Sequence, residues 1–139
     1  MGKLLLIFII TFTLCDVLKA CVTANTDVHI ESNLNNLVLH CKSKDNDLGN
    51  VTRNAGEEFD IHFCADFWGR SVFSCEFYWE SKHQDFIVYE SKHPEYCDEK
   101  DDYGSYKTDC YWKVQEDGFY FPQYFEPEPN TWFKKYDWE

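Results

Sequence analysis

A chain of 139 residues is one domain's worth of sequence. Its net charge of −12, from 25 acidic against 13 basic residues, excludes the basic surface that nucleic acid or an anionic membrane would need. Seven cysteines and an aromatic content of 19% fit a small, cross-linked extracellular domain instead.

The chain opens with Met1-Gly2-Lys3, a short basic start, followed by an apolar run from Leu4 to Leu14 that only Thr11 and Thr13 interrupt. Asp16 and Lys19 end the run, and small residues follow at Ala20 and Ala24. This is the layout of a secretory signal peptide. The run is too short to span a bilayer, which needs about 20 apolar residues. The expected organisation is a signal over residues 1–20 and a single domain over 21–139. Removing the signal takes away Lys3, Lys19 and Asp16, so the charge moves from −12 to −13. Cleavage after Ala20 leaves Cys21, Cys41, Cys64, Cys75, Cys97 and Cys110, an even set; cleavage after Ala24 leaves Cys21 out. In an oxidising compartment such cysteines pair as disulfides.

Strand signals then recur along the chain. Val28 and Ile30 alternate with His29 and Glu31; Leu37, Leu39 and Cys41 share a face opposite His40; Phe59, Ile61 and Phe63 alternate with Asp60 and His62. Phe73, Cys75, Phe77 and Trp79 alternate with Ser74, Glu76, Tyr78 and Glu80, and Cys110, Trp112 and Val114 with Tyr111, Lys113 and Gln115. Period-two alternation puts apolar side chains on one face of a sheet. Turn chemistry separates the runs: residues 45–50, Asn54-Ala55-Gly56, Trp68-Gly69-Arg70, and Asp117-Gly118, which reads as a tight hairpin. Glu90 to Asp109 shows no alternation and reads as a long acidic loop carrying Asp98, Glu99, Asp101 and Asp102. Thr131 to Trp138 reads as a last strand docking on the domain. Many one-sided strands must cover their apolar faces against a second sheet, so the expected fold is all-β, a small antiparallel β-sandwich stapled by disulfides.

Three stretches, taken in order, carry a family likeness: His40-Cys41-Lys42-Ser43-Lys44-Asp45-Asn46-Asp47-Leu48-Gly49, Phe73-Ser74-Cys75-Glu76-Phe77-Tyr78-Trp79, and Cys110 through Tyr120. With Val28-His29-Ile30-Glu31-Ser32-Asn33 at the start and Phe133-Lys134-Lys135-Tyr136-Asp137-Trp138 at the end, the chain resembles the plant self-incompatibility S-protein homologues. The resemblance implies a secreted β-sandwich whose founding member is a pistil ligand read by a surface receptor on pollen. It also implies four family cysteines, matching Cys41, Cys75, Cys97 and Cys110. Cys21 and Cys64 depart from that pattern and either form a third bridge or leave Cys64 free. The pairing expected is Cys41–Cys110, tying two inward strand faces together, with Cys75–Cys97 and Cys21–Cys64.

No catalytic or zinc-protease motif stands in the sequence, and neither an enzyme activity, a metal nor a cofactor is expected. The histidines at 29, 40, 62, 83 and 93 are scattered singly. His29, His40 and His62 fall on the polar side of their strands, where a hydrogen-bonded sheet-face role is the simplest reading. Asp45-Asn46-Asp47-Leu48-Gly49 fails as a calcium loop, because glycine comes one place early and Gly56 stands where the bidentate glutamate belongs. Asn50-Val51-Thr52 is a glycosylation sequon in an exposed position. Two functions follow. The first, which the family resemblance implies, is a monomeric secreted ligand for a cell-surface receptor, with Asp98, Glu99, Asp101 and Asp102 as the candidate contact residues. The alternative is a carbohydrate- or cell-wall-binding module with a stacking platform of Trp68, Tyr111, Trp132 and Trp138.

Overall fold

The computed structural model describes residues 25–65, 71–91, 96–102, 105–125 and 129–139. Ten strands follow in chain order: β1 (Asn25–Ser32), β2 (Leu37–Lys42), β3 (Asp47–Arg53), β4 (Glu58–Cys64), β5 (Val72–Trp79), β6 (Lys82–Glu90), β7 (Cys97–Asp102), β8 (Ser105–Gln115), β9 (Gly118–Tyr124) and β10 (Asn130–Tyr136). They form two sheets. The larger runs β10-β9-β8-β1-β4, with β7 also paired to β8; the smaller runs β3-β2-β5-β6. Every pairing is antiparallel except β1 with β8, where Val28 lies opposite Cys110 and Ile30 opposite Trp112 in parallel register. The sandwich is therefore antiparallel-rich around one parallel pair.

Alternation explains the packing. Val28 and Ile30 of β1, Ile61 of β4, and Cys110, Trp112 and Val114 of β8 face inward from the larger sheet. Leu37, Leu39 and Cys41 of β2, Phe73, Cys75 and Phe77 of β5, and Phe86 and Val88 of β6 meet them from the smaller one. Aromatic rings fill the middle: Phe86 lies 4.9 Å from Trp112, 5.0 Å from Phe119 and 4.4 Å from Tyr136. The Trp112 indole N–H donates to the Val88 carbonyl at 2.9 Å, a hydrogen bond that crosses between the sheets.

Each lateral margin carries a contact between the two sheets' edges. On one side the short Asn54–Glu57 turn joins edge strands β3 and β4, and Arg53 donates to the Glu58 carbonyl and lies over the Phe59 ring. On the other, Glu139 pairs its backbone N–H and C=O with His83 of edge strand β6, while Trp138 packs 4.6 Å from Phe119 and 6.0 Å from Trp79.

Three sequence expectations are corrected. The acidic stretch after Tyr96 is not a loop: Cys97–Asp102 is strand β7, running antiparallel to the first half of β8. The β8–β9 hairpin turns on Glu116-Asp117, one place earlier than expected, because Gln115 pairs with Gly118. Gly118 sits at φ 147°, and a Cβ there would fall 2.3 Å from the Tyr136 carbonyl oxygen, so glycine lets β10 approach.

The third correction is the disulfide pairing. Cys41 is bonded to Cys75, and Cys97 to Cys110. Each pair is directly opposite across neighbouring strands of one sheet, with Cα atoms 4.0 and 3.9 Å apart, so each bond staples strands within a sheet rather than sheet to sheet. Cys64 is disulfide-bonded and not a free thiol. Cys21, its expected partner, lies outside the described residues, as do the signal segment, Trp68 and His93.

Candidate functional site

The outer face of the larger sheet gathers most of the polar residues singled out above. Because side chains alternate, the residues between the core positions of β4, β1, β8 and β7 all turn outward. Register lines them up in rows. His62, Asp27, Asp109 and Asp98 stand side by side across four strands. The next row is Asp60, His29 and Tyr111. The third runs from Glu58 and Glu31 to Lys113, Tyr120 and Lys134, across β4, β1, β8, β9 and β10. The face is thus zoned, carboxylates on the β4, β1 and β7 side and lysines toward β10.

Like charges directly opposite on a sheet are destabilising, so the first row needs counter-charge. His62 Nδ1 lies 2.7 Å from Asp27, and Lys107 Nζ is 3.8 Å from both Asp27 and Asp109. His29 completes the arrangement. Its Nδ1 is 2.7 Å from Asp60 and its Nε2 is 2.9 Å from Asp109, which is only 8% exposed. The Tyr111 ring stacks on it at 5.0 Å. Ionised carboxylates only accept hydrogen bonds, so holding both contacts requires protons on both ring nitrogens.

The titration of His29 follows from this setting. Burial is the strongest single influence and opposes the charge, but Asp109, Asp60 and Glu58 together outweigh it and raise the pKa above the ordinary 6.5. Glu58 is also raised above 4.5, first by burial and then by Asp60. For both groups the folded state binds protons more tightly than the unfolded chain. Their contribution is complete below the unfolded pKa and is lost as pH rises through the folded one. The parent is therefore expected to exceed a His29→Gln variant in thermal midpoint below about pH 6.5, with the gap closing as pH rises through the raised value. Parallel midpoint–pH curves for the two proteins would contradict this role.

His29, Glu58 and Asp60 also bring potential ligand atoms within 4.8 Å of one another. Both His29 nitrogens already face carboxylates, which makes this a hydrogen-bonded ion cluster of the sheet face. His40 likewise pairs with Asp47 across β2 and β3. The simple reading of the three strand-face histidines therefore holds. Of the Asp45–Gly49 stretch, Asp45 and Asn46 lie in the β2–β3 turn, while Asp47, Leu48 and Gly49 open strand β3, with the Asp47 carboxylate accepting the Gly49 N–H at 2.9 Å. Asn50 and Thr52 are both exposed on edge strand β3.

The structure brings Asp98 onto the acidic face; Glu99 is the exposed residue after it, and Asp101 and Asp102 continue β7 opposite Tyr106 and Ser105. The aromatic platform is divided. Tyr111 and Trp132 lie on the outer face, but Tyr111 is sandwiched by His29 and Phe125, and Lys113 Nζ sits 4.1 Å over Trp132. Trp138 is packed against the core, its indole N–H donating to the Gln115 carbonyl. His29, Glu31 and Lys113 were visible only as polar alternates, and Asp27 and Glu58 were not singled out; a row across strands has no signal in a single sequence.

Comparison with known proteins gives one consistent result. Residues 27–138 match the family described as plant self-incompatibility protein S1. The chain is 34% identical to S-protein homolog 2 of Arabidopsis thaliana, over 84% of its own length and 70% of that protein's. It is also 34% identical to self-incompatibility protein S1 of Papaver rhoeas, over 68% of its length and 61% of that protein's. A further relative, S-protein homolog 5 of Arabidopsis thaliana, is 31% identical over 59% of the chain and 57% of that protein. No solved structure is a significant match.

Proposed function

The chain belongs to the plant self-incompatibility protein S1 family, and from that premise we propose that it is a secreted signalling protein acting as the ligand of a cell-surface receptor, with pollen–pistil recognition as one setting. It acts by binding, with no catalytic step. Residues 1–20 direct secretion, residues 21–139 form the domain that binds as a monomer, and Asn50 carries a glycan. Among the described residues, no helix is long and apolar enough to cross a membrane.

The observation that carries this reading is the row Asp27, Asp109 and Asp98 on adjacent strands of one sheet face. Within the chain His62, Lys107 and His29 already face Asp27 and Asp109, so what a basic receptor surface meets is the margin of the row on β7, where Glu99 is exposed. Strand β7 extends the row at the margin, so Asp98, Glu99, Asp101 and Asp102 are the contact residues assigned to the receptor. Charges there act chiefly on association rate and are weakened by salt.

Changing these four residues together to Asn or Gln is expected to leave the thermal midpoint nearly unchanged while lowering binding to plasma membranes of target cells at low salt. Binding equal to the parent's would move the recognition site elsewhere. The saccharide-platform alternative is less well supported, because the two outer-face rings already carry protein groups on their faces. A glycan array should show no saccharide bound.

A further inference from the structure

The smaller sheet also turns a face to solvent, and its make-up differs from that of the larger one. Across β3, β2, β5 and β6 one row reads Asn50, His40, Glu76 and Asp85. The next runs from Thr52 through Val38 and Tyr78 to His83. Val51, Leu39 and Phe77, which lie between these rows along their strands, pack toward the core, so by alternation both rows point outward. Acidic and basic groups are interspersed here, without the zoning of the larger sheet. Apolar surface accompanies them: Tyr78 is 44% exposed, and Ile87 on the same face of β6 is 43% exposed.

The glycosylation sequon enters this face from its margin. Asn50 and Thr52 are exposed on β3 while Val51 packs inward. Among the described residues, no side-chain hydrogen bond holds the Asn50 amide. Space beside it is open, since a Cβ added at Gly49 would meet nothing within 4 Å. Running inward across the sheet, a glycan on Asn50 meets His40 first and then Glu76, with Tyr78 one row along. Two strand spacings and one two-residue step separate Asn50 from Tyr78, about 10 Å across and about 7 Å along. The asparagine side chain and the inner sugars of an N-linked core span that distance.

The chemistry of the face suits a neutral sugar. A pyranose ring has an apolar C–H face and a rim of hydroxyl and acetamido groups. The C–H face matches the Tyr78 ring, whose body is apolar and whose tip is polar, and the neighbouring Val38. Glu76 and Asp85 stand directly opposite each other, like charges whose oxygens only accept, and sugar hydroxyls donate to them without adding charge. Tethering supplies the affinity. Sugars on the chain's own Asn50 are held at high effective concentration, so contacts too weak to retain a free saccharide suffice.

We propose that the N-linked glycan of Asn50 lies across the outer face of the smaller sheet, over His40, Val38 and Tyr78, and closes that face to protein partners. The receptor is thereby left the larger sheet and its β7 margin. The proposal rests on the proposed function for secretion and for the glycan at Asn50, and not on the receptor.

The test uses the full chain secreted from plant cells, as the parent, Thr52→Ser and Thr52→Ala. Serine keeps the sequon and alanine removes it, and Thr52 is exposed, so all the proteins should fold alike. Intact mass reports the glycan, and hydroxyl-radical labelling read by mass spectrometry reports side-chain exposure. The parent and Thr52→Ser should carry the glycan and label weakly at Tyr78 and Ile87. Thr52→Ala should lose the glycan and gain labelling at both, while Tyr124, 55% exposed on β9, labels equally throughout. Equal labelling of Tyr78 and Ile87 in glycosylated and unglycosylated protein would put the sugars in solvent and overturn the proposal. A matching gain at Tyr124 would reduce the effect to general scavenging by the glycan and overturn it too. Secreted parent without a glycan at Asn50 would refute both the covered face and the modification, whereas the ligand reading, tested by membrane binding, would stand.

Discussion

Trp112→Ala is expected to cost about 3–5 kcal/mol of folding stability, the range for deleting a large buried aromatic side chain. Trp112 is 1% exposed, and its ring lies 4.9 Å from both Phe86 and Tyr96 and 6.2 Å from Tyr136. Truncation leaves those rings facing a void, since neighbours held on paired strands cannot collapse into it. It also strands the Val88 carbonyl, which accepts the indole N–H from the opposite sheet. An unmet buried acceptor costs about 1–3 kcal/mol by itself. Trp112→Phe should separate the two terms, restoring most of the ring volume while leaving the carbonyl unmet. Urea unfolding midpoints measure both variants. A loss below about 1 kcal/mol for Trp112→Ala would mean that the ring does not join the sheets. Small domains hold only about 5–15 kcal/mol in total, so the alanine variant is expected to be poorly folded at elevated temperature.

Removing the Cys41–Cys75 bond by changing both residues to serine should cost about 4 kcal/mol, and removing Cys97–Cys110 about 3 kcal/mol. The order follows from the loops closed: the first bond spans a sequence separation of 34, the second of 13. A longer loop loses more conformational freedom when cross-linked in the unfolded chain. Peptide mapping of unreduced protein should recover Cys41 with Cys75 and Cys97 with Cys110. Recovery of Cys41 with Cys110 would require β2 and β8 to be joined across the core and would refute the strand order. Reversal of the two stability losses, with the pairing intact, would show that strain or residual unfolded-state structure outweighs loop entropy.

The strands legible in the sequence are those with one buried face. Val28 and Ile30, Leu37 to Cys41, Phe59 to Phe63, Phe73 to Trp79 and Cys110 to Val114 all lie on strands where alternation placed them. The strands that escaped have physical reasons to. Strand β3 is an edge strand whose Leu48 is exposed and whose only partly buried apolar residue is Val51. Strand β6 buries Val88 and Tyr89 in succession, because a bulge opposite Phe73 and Ser74 breaks its period of two. Strand β7 contains a single apolar residue, Cys97, and is held by pairing with β8 and by the disulfide rather than by a buried face.

The candidate sites divide in the same manner. That the stretch from Asp98 to Asp102 is acidic, and that His29 is a polar sheet-face residue, was readable from composition and alternation. That Asp98 adjoins Asp109 and Asp27, or that Asn50 shares a sheet face with Tyr78, was not. These residues lie far apart in the chain and meet only through strand order.

By itself the sequence determined the class of the fold, the faces of its main strands, the core aromatics and the family. Each of these is set by local residue pattern and by period-two geometry, which act within a few residues. Only the tertiary structure decided which cysteines pair, that β1 runs parallel to β8, and which charges form rows. Alternation tells a residue which face it occupies but nothing about the strand beside it. Neighbours are selected by the collective burial of both sheets, a property of the whole chain.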